Sequence, residues 1–195
     1  MKKFPGIIVL LTIVFIMSCK DDKEDTWTQY QKWRNENAAY FNQKRAETDE
    51  NGFPVYTEIY PVWDPGSFIL MKTYKKGDGT KPAPLNNSTV KFMYKGMLYN
   101  GTAFDSTYLY TDSATTGRVD QFIQGFQIAL TSMQPGDSCQ VIIPQNLGYG
   151  AEMSSSVILP YSTLIFDLKL IDVLGYEHQV PEKNKKLRIS KEGRN

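Results

Sequence analysis

Three stretches of the 195-residue chain combine alternating apolar residues with many aromatic rings: 90–107, 122–151 and 157–173. Their candidate site residues are aromatic or aliphatic, with Asp105 the one carboxylate among them, and they offer no histidine. Cys139 alternates with apolar neighbours, which is typical of a buried strand rather than of a nucleophile. This composition suits an apolar cleft that binds a hydrophobic backbone segment, and it argues against hydrolytic or metal-dependent chemistry. No metal or other cofactor is expected.

The periodicity of the chain predicts an α+β domain with several antiparallel strands and one short helix. Asn100-Gly101 is a strong hairpin signal between two strands. The short amphipathic helix ends before Pro135 and Gly136, which cannot continue it. The elements expected are strands at 55–60, 67–74, 90–99, 102–106, 138–144 and 163–174, a helix at 121–131, and loops at 112–117 and 145–161.

Residues 26–46 predict a further helix, because neither Gly nor Pro interrupts them and Asp25 or Thr26 can cap the start. Aromatic residues recur along this segment at steps of three and four, which is typical of a helix face buried against a partner. The sequence leaves two alternatives for that partner: the chain's own domain, or a second copy in a homodimer. The residues on this face are Trp27, Tyr30, Trp33, Arg34, Asn37, Tyr40 and Phe41.

The first 18 residues have the pattern of a bacterial lipoprotein signal peptide, which is removed from the mature protein. Their apolar run, 7–17, is shorter than the roughly 20 residues that a membrane span needs. Residues 16–19 resemble a lipobox, in which the peptidase cuts before the cysteine and lipid is attached to its sulfur. We therefore predict lipidation at Cys19 and a lipid-anchored outer-membrane protein that faces the periplasm or the cell surface. The alternative is an ordinary secretory signal with a chance cysteine.

Polar segments flank the predicted domain. Residues 20–25 are mostly acidic and indicate a solvated tether, and residues 176–195 predict a basic, disordered tail. Removal of Lys2 and Lys3 with the signal peptide takes the formal charge from +1 to −1, so no broad positive field favours nucleic acid. The expected organisation is a signal peptide at 1–18, an anchor, tether, helix and linker at 19–66, one domain at 67–175 and the tail at 176–195.

Three motifs in chain order resemble the core of FKBP-type peptidyl-prolyl cis-trans isomerases: Tyr-Lys-Gly at 94–96, Phe-Asp-Ser at 104–106 and Tyr-Gly-Ala at 149–151. The resemblance covers roughly residues 67–173. It implies an FKBP-like, antiparallel, half-wrapped β-sheet around one short helix, here with an N-terminal helical extension, and an active cleft between sheet and helix. Gliding-motility-associated lipoprotein isomerases of the Bacteroidetes are similar in layout.

The resemblance assigns roles in the cleft position by position. It implies that the Ile123 N–H and the Tyr149 hydroxyl bind the substrate backbone, and that Phe126 forms the floor of the pocket. Taken singly, several of these apolar residues have ordinary core packing as an alternative. The residues implied in catalysis are Tyr94, Phe104, Asp105, Ile123, Phe126, Tyr149 and Phe166, and those implied in substrate binding are Phe122, Val157 and Ile158.

The chain departs from the family pattern in the walls of the cleft. Phe126 replaces the usual tryptophan, and the phenylalanine that usually follows the Phe-Asp-Ser motif has no counterpart in 112–117. Tyr108 and Tyr110 are the candidates to fill that gap. Two further departures are Ser154 in place of a frequent histidine and Leu159-Pro160 in place of Pro-Pro.

Three functional hypotheses follow. The first is a lipid-anchored prolyl isomerase that assists the folding of envelope or surface proteins, with proline-containing polypeptides as substrates. The second is a peptide-binding or chaperone lipoprotein of the same fold with little turnover, which the departures in the cleft favour. The third is a structural envelope lipoprotein that assembles through the aromatic helix.

Overall fold

The computed structural model describes residues 25–107 and 114–175. The predicted signal peptide, the lipidation site Cys19, the candidate wall residues Tyr108 and Tyr110, and the predicted basic tail lie outside the described residues.

One antiparallel sheet of seven strands dominates the described part of the chain. The strands are β1 (Thr57–Ile59), β2 (Ile69–Lys75), β3 (Thr89–Leu98), β4 (Ala103–Ser106), β5 (Thr115–Arg118), β6 (Ser138–Ile143) and β7 (Leu164–Gly175). Their order across the sheet is β1-β2-β6-β7-β3-β4, and β5 pairs with β3 beside β4. The predicted α+β class is confirmed, and the Asn100-Gly101 turn joins β3 to β4 as expected.

Three α-helices accompany this sheet in the described residues: α1 (Thr26–Gln29), α2 (Gln31–Arg45) and α3 (Gln124–Thr131). The helix predicted over 26–46 therefore exists but breaks at Tyr30, whose φ of −104° and ψ of 20° interrupt it. The Asp25 carboxylate caps its start by accepting the Thr28 N–H at 2.8 Å. Short 3₁₀ turns lie at Val119–Gln121 and Gln145–Leu147.

The prediction of a loop at 112–117 is wrong for its second half, which is part of β5. Thr115 to Arg118 pair with the first residues of β3, so the backbone groups of this polar segment are satisfied by a neighbouring strand. Its Ser/Thr/Gly composition lacks the apolar alternation that identifies a strand in sequence. Gly117 is needed in this strand, because a Cβ there would lie 2.6 Å from Cζ of Phe122.

The two faces of the sheet carry separate cores, as the alternation of side chains along a strand requires. On β6, Val141 and Ile143 join the core beneath α3, whereas Ile142 joins the core on the other face. The second core is covered by α2 through Phe41, which packs against Phe68 with ring centroids 5.8 Å apart. The helices α2 and α3 thus lie on opposite faces of the sheet.

The aromatic face of α2 docks on the chain's own domain, the first of the two partners considered. Asn37 and Phe41 are its buried residues, and Trp33 packs edge-on against Tyr99 with centroids 5.1 Å apart. A homodimer through this helix stays a prediction. Within residues 25–107 and 114–175, no helix has the length and apolarity to cross a bilayer.

Candidate active site

A cavity of about 360 Å³ lies between the concave face of the sheet and the start of α3. Aromatic rings make up most of its wall, and polar side chains stand at its rim. The lining residues are Phe92, Tyr94, Phe104, Asp105, Thr115, Thr116, Gln121, Phe122, Ile123, Phe126, Tyr149 and Phe166.

Phe126 forms the floor of this cavity and is only 4% exposed. Its ring centroid lies 5.0 Å from that of Phe166, 5.2 Å from Phe122, 5.6 Å from Phe92 and 6.0 Å from Tyr94. All four contacts are edge-to-face, the arrangement in which the positive edge of one ring meets the negative face of another. The floor is therefore held from four sides by neighbouring rings.

Two adjacent wall residues, Phe104 and Phe166, meet over a glycine of β3. Their rings meet edge-to-face with centroids 5.6 Å apart. A Cβ on Gly96 would lie 2.4 Å from Cε2 of Phe104 and 3.0 Å from Cε1 of Phe166. The lack of a side chain at position 96 thus allows both rings to lie against the strand.

One end of the cavity is polar. The Tyr94 hydroxyl donates a hydrogen bond to the carboxylate of Asp105, and the same carboxylate accepts the N–H of Ser106 at 2.8 Å. Asp105 lies on β4 and is exposed, whereas the Tyr94 ring is half-buried against the floor. The pair connects adjacent strands and gives the apolar cavity a hydrogen-bonding edge.

Two groups on other elements complete the rim. Ile123 is the N-cap residue of α3, and within the described residues its N–H donates to no backbone carbonyl. Such donors at helix starts lack partners inside the helix and are suited to bind a carbonyl of another molecule. Tyr149 follows β6 on a turn that includes Gly150 at φ +61°, and 40% of Tyr149 is exposed. Both residues line the cavity.

The sequence profile for FKBP-type peptidyl-prolyl cis-trans isomerases matches residues 80–171. The FK506-binding protein of Neisseria meningitidis serogroup B is 34% identical over 106 residues, which are 54% of this chain and 95% of that protein. The chain belongs to the FKBP-type peptidyl-prolyl cis-trans isomerase family.

Other comparisons extend the family match. The outer membrane protein MIP of Legionella longbeachae is 32% identical to the FKBP-type chain over 160 residues, 79% of this chain and 66% of that protein. The solved peptidyl-prolyl cis-trans isomerase of Pseudomonas syringae pv. tomato superposes with a TM-score of 0.61 at 28% identity, covering 74% of this chain and 95% of that one. The expected FKBP-like fold is thereby confirmed. The chain spans only 43 to 51% of the length of four curated relatives that it matches.

Most of the residues that the resemblance assigned to the FKBP cleft line the cavity together. Val157 and Ile158 do not: Val157 is 39% exposed, and Ile158 is 6% exposed within the core beneath α3. The Ser155 hydroxyl accepts the N–H groups of Val157 and Ile158 at 3.3 and 3.0 Å, which turns this segment tightly. The predicted residues that line the cavity are Tyr94, Phe104, Asp105, Phe122, Ile123, Phe126, Tyr149 and Phe166.

Sequence reasoning missed four lining residues of the FKBP-type domain. Phe92 lies two positions before Tyr94 on β3, and this spacing places both on one face of the sheet, so a signal was present. Thr115 and Thr116 belong to the strand that was predicted as a loop, and Gln121 ends the 3₁₀ turn after it. Nothing in their local sequence marks them as part of the site.

Cys139 of the FKBP-type domain is buried in β6, as its alternation with apolar residues predicted, and is 1% exposed. Burial is the main cause that raises the pKa of its thiol to about 12. Such a thiol is protonated at neutral pH, so it is a packing residue and not a nucleophile.

Proposed function

We propose that this chain is a peptidyl-prolyl cis-trans isomerase that acts on proline-containing polypeptides. The observation that carries the proposal is the aromatic cavity, whose floor is Phe126 and whose walls are Phe104 and Phe166. A cavity of about 360 Å³ is at the small end of ligand sites, which is suited to a prolyl ring with its flanking peptide groups. The larger depression beside β2, about 550 Å³, has lysines and aspartates in half of its lining positions and no aromatic residue.

The chemistry needs no covalent intermediate. Rotation about an X–Pro bond crosses a barrier of about 18–20 kcal/mol, because the partial double bond of the planar amide is lost in the twisted state. The planar amide is the more charge-separated form, so water stabilises it more than it stabilises the twisted form. Transfer of the prolyl amide from water into the aromatic cavity lowers the barrier by removing that preference.

The rim holds the peptide on either side of the rotating bond. The Ile123 N–H is available to donate to a substrate carbonyl, and Tyr149, which also lines the cavity, brings a hydroxyl to the site. Asp105, oriented by Tyr94, adds an acceptor at the polar edge. Fixing one part of the peptide while the other rotates reduces the entropy lost on reaching the twisted state.

The direct experiment is exchange spectroscopy by NMR on a peptide of the Ala-Leu-Pro-Phe type with the full mature chain. We expect the cis–trans exchange, which takes about 10–100 s without a catalyst, to accelerate in proportion to protein concentration. A rate equal to the uncatalysed one would refute the isomerase proposal. Peptide binding without acceleration would favour the second candidate, a binding module, for which Thr115 and Thr116 in the cavity wall are the supporting observation.

We also propose that the chain is a lipid-anchored envelope protein that assists the folding of envelope or surface proteins. The name of the Legionella longbeachae relative, an outer membrane protein, supports an envelope location. The lipobox-like residues 16–19 support acylation of Cys19. Metabolic labelling with a palmitate analogue tests the anchor: the label should appear in the wild-type chain and disappear in Cys19→Ser, and equal labelling of both would refute it.

A further inference from the structure

Helix α2 is hydrogen-bonded to the segment that enters β7, and this segment is in turn bonded to the rim of the cavity. The contacts involve side chains that are far apart in sequence and lie outside the cavity itself. They form one continuous path from the back of the sheet to Tyr149.

Asn37 is the centre of the contact between α2 and this segment. It is 1% exposed, and its side-chain oxygen accepts the Thr163 N–H at 2.7 Å. Its backbone carbonyl accepts the Thr163 hydroxyl at 3.2 Å, and its side-chain N–H₂ donates to the Trp33 carbonyl at 2.8 Å. A buried amide with this many partners fixes the position of Thr163 against the helix, and loss of any partner leaves a buried polar group unsatisfied.

Trp33, one helical turn before Asn37, binds Ser162, the residue that precedes Thr163. Its indole N–H donates to the Ser162 hydroxyl at 3.1 Å, and that hydroxyl donates to the Leu159 carbonyl at 2.6 Å. The Trp27 ring meets the Tyr161 ring edge-on, with centroids 5.4 Å apart. Residues 159–163 are therefore attached to the N-terminal helices at three successive positions.

Tyr161 carries this attachment to the rim. Its φ is +63°, a left-handed conformation that is uncommon outside glycine and persists only where the surroundings impose it. In this conformation its N–H donates to the Gly150 carbonyl at 2.7 Å. Gly150 directly follows Tyr149, which lines the cavity.

We propose that Asn37 is a positioning residue for the cleft: it holds residues 161–163 so that the Tyr161–Gly150 hydrogen bond keeps Tyr149 at the rim. Trp33 acts in the same way through Ser162. The N-terminal helix is then part of the functional unit, although it lies on the face of the sheet opposite α3. This inference rests on the proposed function for its kinetic consequence, whereas its structural part stands independently.

The test uses the full mature chain with two variants, Asn37→Ala and Trp33→Phe. The second keeps an aromatic ring against Tyr99 and removes the N–H donor together with part of the ring's packing area, so it remains informative if the first folds poorly. We expect the Tyr161 amide to exchange with solvent roughly tenfold faster in each variant while the amides of β6 and β7 keep their protection. We expect kcat/KM on the Ala-Leu-Pro-Phe-type peptide to fall by roughly tenfold, since a displacement of about 1 Å can cost on the order of a hundredfold.

Phe41→Leu is the matched control. Phe41 lies on the same helix and packs in the second core, but its side chain forms no hydrogen bond with residues 161–163. When Phe41→Leu and the wild type are compared under conditions that give them equal global stability, the exchange rate of the Tyr161 amide and kcat/KM should both be unchanged. The proposal is overturned if Asn37→Ala and Trp33→Phe behave like Phe41→Leu, or if the Tyr161 amide keeps its wild-type exchange rate.

The kinetic and structural readouts separate the two proposals. If the wild-type chain shows no isomerase activity, the proposed function fails, and the exchange of the Tyr161 amide alone decides the positioning role. If the wild-type chain is active and the Tyr161 amide of both variants exchanges at the wild-type rate, the positioning role is refuted and the isomerase proposal is unaffected.

Discussion

The ring of Phe104 on β4 lies directly over the backbone of Gly96 on β3. A Cβ placed on Gly96 would stand 2.4 Å from Cε2 and 2.6 Å from Cζ of that ring. The Phe104 ring, a wall of the cavity, thus occupies the space that a side chain at position 96 would fill. Because the same Cβ would also approach Phe166, position 96 sets the distance between two walls of the proposed site.

Substitution Gly96→Ala should therefore displace the Phe104 ring and reduce activity. The half-buried ring can move toward solvent, so we expect a loss of about 1–3 kcal/mol in the free energy of unfolding, as for other overpacked sites. We expect kcat/KM to fall by roughly tenfold, since a wall displaced by about 1 Å no longer fits the prolyl ring. Urea denaturation and the NMR exchange assay measure both. Gly175→Ala is the control, because a Cβ there meets nothing within 4 Å; unchanged kcat/KM in Gly96→Ala would contradict the prediction.

Truncation of a wall ring, Phe104→Ala, should lower the isomerisation rate far more than the stability. The ring is half-buried, so the cost in free energy of unfolding should stay below the roughly 3–5 kcal/mol of a fully buried phenylalanine. The rate should fall by roughly a hundredfold, because the prolyl amide is then exposed to water. Phe68→Ala removes a half-buried ring from the opposite face and should change stability without changing the rate. Proportionate losses of rate and stability in Phe104→Ala would remove Phe104 from the site.

The Tyr94–Asp105 hydrogen bond should appear as coupling between the two residues. Tyr94→Phe keeps the ring contacts with Phe126 and Phe166 and removes only the hydroxyl donor, so we expect a loss of about 1 kcal/mol in the free energy of unfolding. A double-mutant cycle with Asp105→Ala, measured by urea denaturation and by kcat/KM, should give a coupling of at least about 0.5 kcal/mol. Strictly additive effects in both measurements would show that the hydrogen bond contributes nothing to the rim.

Stability should decline in alkaline solution because of Cys139. Burial raises the pKa of the folded thiol from 9.0 to about 12, so the folded chain keeps a proton that the unfolded chain releases above its ordinary pKa. The thiol's contribution is therefore fully present below pH 9 and is lost progressively as the pH rises toward 12. At about pH 10.5 the loss should reach about 2 kcal/mol, since each unit corresponds to about 1.4 kcal/mol.

Cys139→Ala supplies the comparison, since alanine cannot ionise. The difference in free energy of unfolding between wild type and variant, from urea curves at several pH values, should shrink as the pH rises above 9. Burial also raises the pKa of Tyr56, but that tyrosine is present in both proteins and cancels in the difference. A difference that stays constant with pH would contradict the prediction.

Local sequence was sufficient for the elements whose signals are short-range. The Asn-Gly turn predicted the hairpin of β3 and β4, and apolar alternation predicted β6 and β7. Alternation also placed Cys139 in the core, since its neighbours on either side face the other way. It was insufficient for β5, whose polar residues form a strand because β3 offers an unpaired edge.

The residues of the candidate site likewise fall into those that the sequence predicted and those that it did not. Motif order supplied the residues of the cavity, from Tyr94 to Phe166, because their spacing along the chain resembles that of a known family. Val157 and Ile158 lie outside the lining of the cavity, and their part in substrate binding stays a prediction. The turn held by Ser155 depends on side-chain hydrogen bonds that periodicity does not report. Phe92 could have been found from its spacing to Tyr94, whereas Thr115 and Thr116 could not.

The amino-acid order alone determined which side chains are apolar, which face of each strand they share and which residues recur in a family's order, because these properties depend on near neighbours. Only the tertiary structure decided that α2 lies on the back of the sheet and that Asn37 bonds to Thr163, 126 residues away. The physical reason is that a periodic apolar face specifies burial but not its partner, and the partner is selected by shape and hydrogen-bond satisfaction when the whole chain packs.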